Sequence, residues 1–214
     1  GTELIACDMY YSCLDGNWNA DGDSLYGEGY TSSDDPGDNC DLLPDVYVGR
    51  APVLTVADAQ VFVNKTFQYE RTPVGNYEDR WIFFAEVLFP QGWQQGQGVT
   101  LDGAELTEDL LPLTDQLPGV HVGRLYENYT DPRWRPGSLP ESKKGVLDSL
   151  NAGYGLAMHI GHGYRNVMEV GDGSLGNADA MALSNGNKLF NLYAIDCTSS
   201  AIDFPCIGEA FLKN

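Results

Sequence analysis

Apolar runs alternate with amphipathic stretches along most of this chain. Between Arg80 and Phe89 nearly every residue is apolar, and the run stops at Pro90, the signature of a strand covered on both faces of a parallel sheet. Val120 to Leu125, Gly155 to Ile160 and Leu189 to Ile195 are shorter runs of the same kind, and Thr2 to Tyr11 and Val46 to Arg50 also read as strands. Helical periodicity follows Thr55, with apolar positions at Val56, Ala59, Val61, Phe62, Val63 and Phe67, and predicts a helix capped by Thr55 and running to about Tyr69. Further helices are predicted from Asp102 to about Leu111, from Ser138 to Asn151 with Glu141 completing a capping box, and from Asp203 to Leu212. Strands alternating with helices predict an α/β fold built on a mainly parallel sheet with helices on both faces. The segment from Ser12 to Leu43 is a long polar loop, rich in Gly, Asp, Asn and Ser, of the kind that serves a function or is held by an ion.

The 214 residues suffice for one sizeable domain. A single domain over 1–214 is expected, with an N-terminal portion (1–75) bearing the acidic loop and a portion (76–214) bearing the chemistry. Hydrophobic residues make up 43% of the chain, as in a globular protein, and no apolar run approaches the length of a membrane span. The net charge of −19 argues against nucleic acid as a partner. Of the five cysteines, Cys7, Cys13 and Cys40 lie in the loop-rich N-terminal stretch, where a disulfide is expected if the protein is secreted. Spacing does not give the pairing. Cys197 is the thiol expected to stay free.

Candidate chemistry sits at two strand ends. Gly161-His162-Gly163 follows one apolar run, and Asp196-Cys197 follows another. Active sites of open α/β sheets gather at the carboxyl ends of the strands. A cysteine attacks a carbonyl as the thiolate, and a nearby histidine favours that form and then protonates the leaving amine. The backbone amides of Gly163 and Cys197, each at a turn beyond a strand, are the natural donors for an oxyanion.

These residues carry a family resemblance. Gly161-His162-Gly163, then Cys197, then Asp203-Phe204-Pro205-Cys206-Ile207-Gly208-Glu209-Ala210-Phe211-Leu212, resembles the gingipain-type cysteine peptidases of the caspase-like clan, as does Asp45-Val46-Tyr47-Val48-Gly49-Arg50 upstream. The resemblance runs in order through most of the chain and is weakest between Pro90 and Pro140. It implies a caspase-like sheet, incomplete at both ends, and an endopeptidase with Cys197 as nucleophile and His162 as general acid/base. His159 competes for the second role, but His162 is flanked by glycines and matches the family position. The resemblance further implies Glu86 as a supporting acid, and Asp102 as the acid of a primary pocket for basic side chains; an N-cap is the alternative role for Asp102. Protein or peptide substrates, a processed precursor supplying the remainder, and a secreted or cell-surface location in a bacterium or archaeon are expected with it. The competing class is a catalytically silent, calcium-stabilised binding or adhesion module.

No cofactor is required for the chemistry. A structural calcium is expected, because Asp15, Asn17, Asn19, Asp21 and Asp23 present oxygen side chains at alternate positions, although Ala20 and Tyr26 depart from an EF-hand loop. The three histidines have no zinc-ligand spacing with the cysteines, and the chain has no glycine-rich nucleotide loop.

Overall fold

The computed structural model describes residues 5–29, 37–38 and 40–214. The chain divides into two compact units, residues 1–52 and 53–214. In the first, Met9–Ser12 forms one helical turn (α1), followed by turns that side chains close. Oδ1 of Asn17 accepts from the Asn19 amide at 3.1 Å, Oδ1 of Asp21 from the Asp23 amide at 3.2 Å, and Oδ1 of Asp23 from the Leu25 amide at 2.6 Å. Short polar side chains thus replace a ladder with local turns.

Three expectations for this unit fail. The strand expected from Thr2 to Tyr11 ends as the helical turn α1, its first residues lying outside the described ones. Val46 to Arg50 forms no strand, and Tyr47 is fully exposed. All five cysteines are free thiols, so the expected disulfide is absent. Cys13 instead donates to Asp41 Oδ1 at 3.0 Å.

The second unit opens with α2 (Val56–Arg71), closed at its start by a capping box between Thr55 and Asp58. In chain order there follow β1 (Arg80–Ala85), β2 (Val87–Phe89), β3 (Leu101–Asp102), α3 (Gly103–Thr114), β4 (His121–Tyr126), β5 (Leu139–Pro140) and α4 (Lys143–Ala152). Then come β6 (Leu156–Ile160), β7 (Gly163–Tyr164), β8 (Val167–Val170), β9 (Gly173–Gly176), α5 (Asn177–Met181), β10 (Asn191–Ile195) and α6 (Ile207–Lys213). The main sheet has the order β10-β6-β1-β4-β5, and every pairing in it is parallel. Two small antiparallel sheets, β2-β3 and β7-β8-β9, lie beyond its carboxyl edge in sequence.

Side-chain alternation on β1 divides the core. Ile82 and Phe84 pack with Val146 and Leu150 of α4, Ala180 of α5 and Ile207 and Ala210 of α6. Phe83 and Ala85 pack with Ala104 and Leu111 of α3, and with Tyr126 and Trp134. The helices therefore cover both faces, as the continuous apolar run requires.

Helix and strand limits shift for identifiable reasons. The run from Arg80 to Phe89 is two strands, because the chain leaves the main sheet after Ala85 and pairs β2 with β3. The helix expected from Ser138 begins only at Lys143, since the Glu141 amide is taken by the Tyr126 carbonyl (2.9 Å) and Leu139–Pro140 is a strand. Ser142 is the cap, its Oγ accepting from the Gly145 amide at 3.1 Å, while Ser138 Oγ donates to the Tyr129 carbonyl. The last helix starts at Ile207 rather than Asp203, because Pro205 disfavours helical backbone at the residue before it. Among the described residues no helix is long and apolar enough to cross a membrane.

Ser142→Ala is expected to destabilise the protein by about 1 kcal/mol in chemical denaturation, and Ser138→Ala by under about 0.5 kcal/mol. The reverse order would mean that the helix starts where the sequence first suggested.

Candidate active site

Beyond the last residue of each sheet strand the parallel ladder runs one residue further. The amide of Glu86 donates to the Ile160 carbonyl (3.0 Å), that of Glu127 to Ala85 (2.9 Å), that of Glu141 to Tyr126 (2.9 Å), and that of Gly161 to Ile195 (3.2 Å). With the register Ile195↔Ile160↔Ala85↔Tyr126↔Pro140, this sets Asp196, Gly161, Glu86, Glu127 and Glu141 in one row across the sheet. His162 and Cys197 each lie two residues past the paired ends of the adjacent strands β6 and β10. The row leaves no room at Gly161, where an added Cβ would lie 2.4 Å from Nε2 of His159 and 2.5 Å from Oε2 of Glu86.

The two predicted histidines occupy different environments. His159 is fully buried and stacked on Phe84, with ring centroids 5.0 Å apart. Burial pushes its pKa down to about 3, so it stays neutral and is no proton carrier near pH 7. Its Nδ1 lies 3.6 Å from Asp196 Oδ2, too far for a hydrogen bond, and with a neutral ring the contact is no ion pair. His162 is partly exposed, and its Nε2 lies 2.9 Å from the Leu88 carbonyl oxygen. A carbonyl only accepts, so in the neutral ring Nε2 carries the hydrogen and Nδ1 is the basic atom. The Phe89 ring meets the imidazole edge-on at 6.1 Å. Cys197 is exposed.

Glu86 holds the histidine's backbone rather than its ring: Oε2 accepts from the His162 amide at 2.8 Å. Burial pushes its carboxyl pKa up to about 7, against the pull of that amide and with added repulsion from Glu127 and Glu169. Gly163 packs against the Asp196 carboxylate, 2.6 Å from where a Cβ would stand. Asp102 caps α3, one oxygen accepting from the Ala104 amide (2.9 Å) and the other from Asn128 Nδ2 (3.1 Å). The Gly103 amide after it donates to the Glu86 carbonyl at 2.9 Å, which joins the start of α3 to the same strand ends.

Residues 2–214 match the family model described as peptidase family C25. The chain belongs to peptidase family C25. Among solved structures it is similar to gingipain R, titled an Arg-specific cysteine proteinase, with 20% identity and a TM-score of 0.60 over 80% of this chain. The same values relate it to a complex of Porphyromonas gingivalis RgpB pro- and mature domains. A structure titled only as a protease matches at 19% identity and a TM-score of 0.61 over 96% of this chain. Each similarity covers 37% of the other chain, so this C25 chain spans little over a third of those structures, and at such identity they speak for the fold. No curated protein matches the sequence.

In this C25 chain the sequence reading missed most of the acidic row. Glu127 Oε2 accepts from the Val87 amide at 2.9 Å. Glu141 is buried with no hydrogen-bond partner for either oxygen among the described residues, and burial holds its carboxyl well above the usual range. The available signal was positional: Glu86, Glu127 and Glu141 each directly follow a strand.

The expected calcium ligands do not gather as one group. Asp21 and Asp23 bring oxygens within 4.8 Å of one another and of Glu28, whereas Asp15 groups with Cys13 and Asp45. Asn17 is spent on its turn, and Asn19 Nδ2 donates to the Asp23 carbonyl at 3.2 Å.

The raised Glu86 carboxyl has a pH consequence. The folded state keeps its proton to about 7 while the unfolded chain releases it near 4.5, so stability falls as pH rises through that window. Glu86→Gln keeps an acceptor for the His162 amide and removes the charge. It is expected to stabilise the fold by roughly 1–3 kcal/mol at pH 8.5 and by clearly less at pH 5.5, read by urea denaturation. Equal effects at both pH values would mean that Glu86 does not titrate there.

Proposed function

We propose that this chain carries the nucleophile and proton carrier of a cysteine endopeptidase, Cys197 and His162. What supports the reading is the β6–β10 register, from which each residue follows two positions past the paired end of its strand, in a member of a peptidase family. Nδ1 of His162, left bare by the Leu88 contact, takes the thiol proton of Cys197. The thiolate sulfur attacks the scissile carbonyl, and the amides of Gly163 and Cys197 receive the developing oxyanion. His162 returns the proton to the departing amine, leaving an acyl-enzyme. Water then attacks the thioester with His162 as base, releasing the acid and restoring the thiol. Glu86 acts by holding the histidine's main chain, and no cofactor takes part.

Substrates are proteins or peptides, with basic side chains preferred at P1. The net charge of −19 and the place of Asp102 at the start of α3, joined to the strand ends by the Gly103–Glu86 bond, support the preference. We place the chain in a secreted or surface protein whose processed remainder is a partner, and assign calcium, an oxygen-seeking ion, to Asp21, Asp23 and Glu28.

In the full-length protein, Cys197→Ala and His162→Ala are each expected to lower peptide cleavage by at least about a thousandfold, with Cys197 alkylation by iodoacetamide slowed in His162→Ala. Retained cleavage in either variant would overturn the assignment; cleavage absent from the wild type, with Cys197 inert, would favour a silent binding module. Mass spectrometry of cleaved peptides should show a Lys/Arg bias at P1 that Asp102→Asn, a residue equally able to cap α3, removes. Calcium should raise the thermal midpoint by several degrees, an increase that Asp21→Ala abolishes.

A further inference from the structure

The loops carrying His162 and Cys197 meet at Arg165. It sits in the β7–β8 turn, three residues past the histidine. Its amide donates to Thr198 Oγ1 at 3.2 Å, directly after the nucleophile, and its carbonyl accepts from the Ile207 amide at 2.9 Å, at the start of α6. The guanidinium carbon lies 3.4 Å from the centroid of the Phe204 ring, in the loop between them, and 5.0 Å from that of Tyr164. One residue thus touches the beginning, middle and end of the segment that follows the nucleophile.

Both partners of the first contact are conformationally unusual. Arg165 has φ 33° and Thr198 φ 54°, left-handed backbone that is uncommon for any non-glycine residue and an outlier for a β-branched one. Such conformations are strained and persist only where surrounding contacts impose them. The turn has further closures. Ser199 Oγ donates to Asp196 Oδ1, the Ala201 amide to the Thr198 carbonyl (3.0 Å), and the Gly208 amide to the Ser199 carbonyl (3.1 Å). These bonds shape the nucleophile turn internally, whereas those of Arg165 fasten it to the histidine hairpin.

Resting on the peptidase reading above, we propose that Arg165 is a positioning residue: its stacked guanidinium and main-chain bonds fix the Cys197 turn against the hairpin bearing His162. Proton transfer and attack need sulfur, imidazole and carbonyl aligned together, and a displacement of about 1 Å can cost a hundredfold in rate. Simple alkylation of the sulfur needs no such alignment with a bound carbonyl. Lysine lacks the planar group that stacks on an aromatic ring and is only a partial substitute.

The experiment uses the full-length protein. Arg165→Ala is expected to lower kcat about 10- to 100-fold with KM changed less than about threefold, while iodoacetamide labels Cys197 within about twofold of the wild-type rate. Arg165→Lys should fall between. Phe204→Ala should reproduce the loss, and the double variant should be no worse than the poorer single one, because both remove the same contact. By hydrogen exchange, residues 198–207 should exchange at least about fivefold faster in Arg165→Ala, with β1 and β6 unchanged. Unchanged exchange in that segment, unchanged kcat, additive losses, or alkylation falling in step with kcat would each overturn the proposal. A wild type inert to both peptide and iodoacetamide would sink the peptidase reading instead, and the exchange measurement would still decide whether Arg165 holds the segment.

Discussion

The site depends on a main-chain constraint, the continuation of the parallel ladder by one residue past the strand ends. Four amides, those of Glu86, Glu127, Glu141 and Gly161, each bond to the last carbonyl of the neighbouring strand. Parallel ladders fix residues on adjacent strands at equal height, so the chain has no freedom in which residues become neighbours there. The apolar alternation of β1, with Phe83 and Phe84 buried on opposite faces, holds that ladder between two layers of helices. A shift of one residue in β6 would turn Ala157 and His159 to the wrong face and change the register from which the His162 and Cys197 loops leave the sheet.

The ladder also creates the site's electrostatics. Of three glutamates just past the ends of adjacent strands, Glu86 and Glu141 are buried and Glu127 is half-buried, and each is pushed toward its protonated form, chiefly by desolvation. Glu86 is the one in contact with the histidine loop, so it acts on His162 through the backbone while holding much of its own proton near neutral pH. The imidazole takes its orientation from a different source, the Leu88 carbonyl in the two-stranded β2-β3 sheet, which fixes the tautomer without any carboxylate.

The central strands β1 and β6 were readable in the sequence because they are buried on both faces and bounded by glycine, proline or charge. His162 and Cys197 were readable because each follows an apolar run. The acidic row was not, since Glu127 and Glu141 acquire their meaning only from a register that joins residues far apart in sequence. The start of α4 was misread because Ser138 with Glu141 has the spacing of a capping box, while the Glu141 amide was already committed to the sheet. The N-terminal unit was least readable. Its aspartates and asparagines close their own turns, a local use of oxygen atoms that has the same spacing as a ligand loop.

The two margins of the main sheet are not alike. β5 is a two-residue strand ending in Pro140, which has no amide hydrogen to offer, whereas β10 presents five residues, with Tyr193 and Ile195 exposed. Growth of the sheet is therefore blocked on one side and permitted on the other. Any strand that extends it, whether from this polypeptide or another, would run alongside the cysteine-bearing segment, so enlarging the sheet and walling the Cys197 loop would be the same event.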